Sequence, residues 1–118
     1  MEYDCVPRIA TGLAGGVGMQ GEFCGALMGG VLIIGLRHGA DIPDDEIKYA
    51  CYDKTSQFVQ AFEAVNGNTH CRELTGIDLT GDDAYQTYKA LNLKGKVCTD
   101  VVSNAVHALM GLMVEWER

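Results

Sequence analysis

Apolar residues recur at three-and-four spacing over most of the chain, a pattern that predicts helices rather than strands. From Ile47 the positions Cys51, Phe58, Phe62 and Val65, with Ala50 and Ala61 beside them, share one face and predict a helix over 44–65. Pro43 followed by Asp44, Asp45 and Glu46 makes an acidic opening turn, suited to the positive end of a helix dipole, and Asn66-Gly67-Asn68 stops the helix. The last segment repeats the pattern. Cys98, Val101, Val102, Ala105, Leu109, Leu112, Met113 and Trp116 form one stripe, with Asp100, Ser103, Asn104 and His107 opposite, and predict a helix over 97–117. Between these two lie a short helix opening at Cys71 and another over 82–91, separated by Gly76 and Gly81.

The segment 22–37 has no polar face, so it is expected to be the central, buried helix. Its apolar run, 23–36, is fourteen residues long, short of the roughly 20 that a bilayer span needs. Gly21, Gly25 and Gly29 recur every four residues and leave a groove where another backbone can approach closely. Upstream, 5–13 predicts a short helix with Pro7 in its first turn, and 12–21, with five glycines, predicts a loop. The expected architecture is all-α: a single domain over 1–118, built as a compact bundle of four to five helices around a central apolar, glycine-containing helix.

Composition narrows the partners. At 118 residues, 47% hydrophobic and 21% charged, the chain suits one globular core. Sixteen acidic against nine basic residues give a net charge of -7, which repels a phosphate backbone, so nucleic acid is not an expected partner. No membrane insertion is expected, and Met1-Glu2-Tyr3-Asp4 lacks the basic start of a secretory signal, which points to a cytoplasmic protein. In that reducing setting five cysteines have three uses: buried filler, metal ligands or redox thiols.

Gly16-Val17-Gly18-Met19-Gln20-Gly21 spells the dinucleotide fingerprint G-x-G-x-x-G, with Asp41 about twenty residues on. That fingerprint needs a buried strand before it, and Ile9-Ala10-Thr11-Gly12-Leu13-Ala14 has the composition of none. A glycine loop packed near the first thiol is the preferred reading.

Cys24, Cys71 and Cys98 each fall at the start of an expected helix, Cys71 behind Asn68 or Thr69 as cap, where the dipole and free N–H groups favour thiolate. Thiolate is the form that binds metal or attacks a disulfide. Cys51 lies mid-helix on the buried face and is expected to be core filler; Cys5 lies near an end and is a fourth ligand or nothing. No C-x-x-C spacing marks a metal site. Among the histidines, His107 falls on the polar face, His38 suits a helix C-terminus, and only His70, beside Cys71, is placed to join a thiol site as ligand or proton acceptor.

Cys24-Gly25-Ala26-Leu27-Met28-Gly29 resembles the Cys-Gly-Ala-x-x-Gly motif of the redox-active family written C_GCAxxG_C_C. Residues 15–22 resemble its glycine-rich approach, Cys71-Arg72-Glu73-Leu74-Thr75-Gly76 with Asp78-Leu79 its second cysteine block, and Cys98 with the following helix its last. Members usually carry a further cysteine-bearing helix upstream of the glycine loop; this sequence begins too late to contain it, as expected of an abbreviated member or of a chain whose start is missing, and Cys5 does not inherit that role. The resemblance implies a redox site of Cys24, Cys71 and Cys98 with Gly25, Ala26 and Gly29 as cofactor-binding positions. A related domain in split-Soret cytochromes holds haem and an iron cluster, so an iron–sulfur cluster or zinc on Cys24, Cys71, Cys98 and His70 is also implied, without a C-x-x-C-H haem motif. Two mechanisms remain open at this point, thiol–disulfide exchange with a redox partner protein and metal or cluster binding. The alternative class is a non-catalytic helical module that forms a homodimer or docks a partner.

Overall fold

In the computed structural model, which describes residues 4–118, helices α1 (Val6–Ala10), α2 (Ala14–Val17), α3 (Gly25–His38), α4 (Asp45–Asn66), α5 (Cys71–Thr75), α6 (Ala84–Ala90) and α7 (Thr99–Trp116) follow in order. The Met1-Glu2-Tyr3 start lies outside the described residues. A 3-10 turn, Thr11–Leu13, joins α1 to α2, and a π turn, Lys94–Cys98, leads into α7. Among the described residues there is no strand, so the all-α expectation holds.

The acidic opening turn and the Gly67 stop of α4 are those its sequence predicts, and Asp44 is its N-cap. Asp44 accepts from the Ile47 N–H at 3.1 Å, Asp45 and Glu46 occupy the first turn, and Gly67 closes the helix at φ +87° with its N–H on Glu63 O. The three long helices α3, α4 and α7 pack pairwise around Leu27 and Ile34, Phe58 and Phe62, and Val101, Ala105 and Leu109. Burying each of the larger side chains contributes about 1.5–3 kcal/mol. Gly30 lets α3 settle on α4, because a Cβ there would run into the Phe58 ring. The shorter α1, α5 and α6 complete the bundle.

Two expectations change. The apolar helix is central but not enclosed: only Leu27, Gly30 and Ile34 of α3 are buried, and Leu32, Ile33 and Leu36 remain 37–45% exposed. Two neighbouring helices cover only part of the circumference of α3. Nor is 12–21 an irregular loop. Gly15, Gly16, Val17, Gly18 and Met19 all have φ between +63° and +71°, one turn wound left-handed. That hand costs about 1–2 kcal/mol for each residue with a Cβ, so the three glycines make the turn affordable and carry Val17 and Met19 with them. Hydrogen bonds from Gly18 N to Gly12 O (2.9 Å), Gly21 N to Gly15 O (3.1 Å) and Glu22 N to Gly16 O (3.0 Å) hold it. This turn, not a nucleotide loop after a strand, accounts for the G-x-G-x-x-G string.

The span Lys94–Trp116 is long and apolar enough to cross a membrane by length and composition alone, with mean hydropathy 1.5. Its inner face, however, belongs to the core just described.

Candidate functional site

Residues 21–24 and 69–72 run antiparallel for a single step. Cys24 N donates to Thr69 O at 2.8 Å, Cys71 N to Glu22 O at 2.7 Å and Arg72 N to Gly21 O at 3.2 Å, around an isolated bridge between Phe23 and His70. Extended backbone sends consecutive side chains to opposite sides. Phe23 and His70 therefore meet on one side, ring centroids 4.7 Å apart, and Cys24 and Cys71 take the other. Cys24 becomes the N-cap of α3 and Cys71 the first residue of α5, whose cap is His70; Asn68 Oδ1 instead accepts from the Thr69 and His70 N–H groups.

Cys98 comes from the third direction, ending the π turn at the N-cap of α7. Such turns recur at functional sites because the extra residue re-aims a side chain. Cys24, Cys71 and Cys98 all line one apolar pocket of about 420 Å³, closed by Leu13, Ala14 and Gly15 of the glycine turn, by Gly25 and Ala26, and by Leu74, Tyr88 and Val101. All three are free thiols; Cys71 is buried, Cys24 and Cys98 half-buried.

The thiolate expectation from helix starts fails at Cys71. Burial, followed by the neighbouring Cys24 and Cys98, pushes its pKa up to about 11, so at neutral pH it is a thiol. A five-residue helix supplies too little dipole to reverse that. Tyr88 shares the pocket and is a site residue that the sequence reading missed. Burial, then hydrogen bonding to Cys98, raises its pKa, so its hydroxyl keeps its proton beside the Cys98 sulfur. Its signal was register: Tyr88 lies four residues after buried Ala84, on the inward face of α6.

The remaining candidates separate. Gly25 and Ala26 line the thiol pocket, whereas Gly29 lines the adjoining groove that shares Ala10, Ala26 and Val102 with it. His70 turns away; its Nδ1 lies 3.1 Å from Thr69 Oγ1 and its ring rests on Phe23. His38 packs edge-on against Trp116, with burial lowering its pKa, and His107 is exposed. Cys5 is exposed at the rim of the adjoining groove. Cys51 is half-buried against the core and lines a separate cleft with Tyr52 and Val59, so it is less enclosed than its helical position suggested.

As the described side chains stand, they form no ready metal or cluster site. Among the described residues no group of three His, Cys, Asp or Glu side chains is disposed to hold an ion.

No curated protein and no solved structure matches the chain. The sequence model of the family described as "putative redox-active protein (C_GCAxxG_C_C)" matches residues 1–112. With that match spanning nearly the whole chain, and the cysteines of its motif gathered on one pocket, the protein belongs to the C_GCAxxG_C_C family.

Proposed function

We propose that the protein is a thiol–disulfide redox protein acting through Cys24, Cys71 and Cys98, with Cys24 as attacking thiol and Cys71 as resolving thiol. The observation that carries this reading is the meeting of three free thiols from three separate elements on one apolar pocket. Cys24 is the more accessible of the bridged pair, and Cys71, held protonated, does not compete with it for substrate.

In the forward direction the Cys24 thiolate attacks one sulfur of a disulfide substrate. A mixed disulfide forms and the other half leaves as thiolate, taking the Cys71 proton. Cys71 Sγ then attacks Cys24 Sγ and expels the second half as thiolate. The substrate gains two electrons and the Cys24–Cys71 pair loses them. Cys98, which shares the pocket and has the Tyr88 hydroxyl beside it, is the third thiol, exchanging with the pair and passing the disulfide on. Free cysteines throughout the chain suit a reducing, cytoplasmic setting and a redox partner protein.

The test is mass-spectrometric mapping after titration with oxidised glutathione. A Cys24–Cys71 disulfide, lost in Cys71→Ala with mixed disulfide then trapped on Cys24, is the expected result. Oxidation confined to Cys5 and Cys51, or stoichiometric metal on protein purified without oxygen, overturns the reading.

A further inference from the structure

One flank of the outer face of α7 is apolar, beside the exposed Ser103, Asn104 and His107. Val102, Val106, Met110 and Val114 follow at intervals of four, and with Ile33 and Leu36 of α3 they are 41–60% exposed. Although the span Lys94–Trp116 has a mean hydropathy of 1.5, only 17% of its most apolar window is buried. Beside this ridge runs a groove of about 550 Å³ between α1, α3 and α7, walled by Val102 and Val106 and floored by Gly29 and Gly30.

The glycines of α3 divide by cause. Gly25 is required by the Leu13 carbonyl, 2.9 Å from where a Cβ would sit, and Gly30 by Phe58. Gly29 and Gly35 also line the groove, but a Cβ on either would meet nothing within 4 Å. Mid-helix glycine lowers helix propensity, so packing within the protomer gives no reason for these two. An approaching second backbone does.

A small ligand filling the groove would leave Met110 and Val114 uncovered, since both lie beyond it. A membrane surface would lie against a chain of net charge -7, and α7 has no basic residue in its last turn to anchor it. A second copy fits better. Ridge and groove lie side by side on one face, so a two-fold axis seats each ridge in the partner's groove, the self-complementarity that an isologous contact needs. Area agrees: a standard interface takes about a tenth of a small protein's surface, and the surface here is 7819 Å². Six apolar side chains, each 41–60% exposed and with Val102 and Val106 among them as groove walls, supply on the order of several hundred Å² of that, the size of patch that marks an interaction surface.

We infer that the α3–α7 face is a two-fold homodimer interface, with Val102, Val106 and Met110 of each copy seated over Gly29 and Gly35 of the other. The inference is independent of the thiol chemistry.

Sedimentation velocity of the full chain under reducing conditions tests it across about 1–100 μM. The expected result is a dimer that Val106→Glu and Gly29→Leu each weaken at least tenfold, with helicity by circular dichroism unchanged. Met110→Lys, at a position 60% exposed, supplies a further variant that leaves the core untouched. A wild-type chain that stays monomeric at the highest concentration overturns the inference. So do folded variants that dimerise like wild type, and a monomer that floats with phosphatidylcholine vesicles.

Discussion

Cys71 rests directly on Gly16: a Cβ on Gly16 would stand 2.7 Å from Cys71 Cβ and 2.6 Å from Glu22 N. The left-handed turn and the second thiol are therefore one packed unit, and glycine is required at position 16 for both its φ of +71° and its contact.

Gly16→Ala is accordingly expected to destabilise the protein by about 2–4 kcal/mol, left-handed strain adding to overpacking. Gly18→Ala has φ +63° but open space around its Cβ, so strain alone applies, about 1–2 kcal/mol. Thermal unfolding of the two variants checks the difference; equal losses would separate the turn from the thiol.

Cys71 is expected to alkylate only in alkali, with a midpoint near its raised value of about 11. Replacing Cys24 or Cys98 by Ala removes a neighbouring negative charge, so the Cys71 midpoint should fall. Because the folded state holds this proton more tightly than the unfolded chain, the associated stability is intact below the ordinary thiol value of 9.0 and is lost as pH rises from there through about 11. Iodoacetamide rates and denaturant midpoints between pH 7 and 11 check both signs.

Tyr88→Phe keeps the ring and deletes the hydroxyl beside Cys98. Alkylation of Cys98 at neutral pH should slow, because the thiolate loses a donor, while that of Cys24 stays unchanged. A variant in which both thiols change together would point to a collapsed pocket instead.

Gly30→Ala places a methyl against the Phe58 ring between α3 and α4. Overpacking of this kind costs about 1–3 kcal/mol. Gly29→Ala, one residue away with no neighbour inside the protomer, should leave the monomer's stability level or raise it by up to about 1 kcal/mol. Urea unfolding at a concentration where the chain is monomeric distinguishes them.

Local information was enough for the helices. The apolar period of α4, its Asp44 cap and its Gly67 stop are all written within a few residues, and the helix observed, Asp45–Asn66, differs from 44–65 by one residue at each end. The ordered cysteine blocks were likewise enough to identify the family and to single out Cys24, Cys71 and Cys98. What the sequence could not carry were properties set by distant neighbours. His70 adjoins Cys71 in the chain, but the bridge between Phe23 and His70 sends its ring to the opposite side. Helix starts argued for thiolate, but desolvation by the surrounding apolar walls outweighs one short helix at Cys71. Tyr88 entered the pocket, and the outer faces of α3 and α7 stayed bare, through packing between segments tens of residues apart. Periodicity reports which residues share a face of one helix; only the tertiary arrangement decides what, if anything, covers that face.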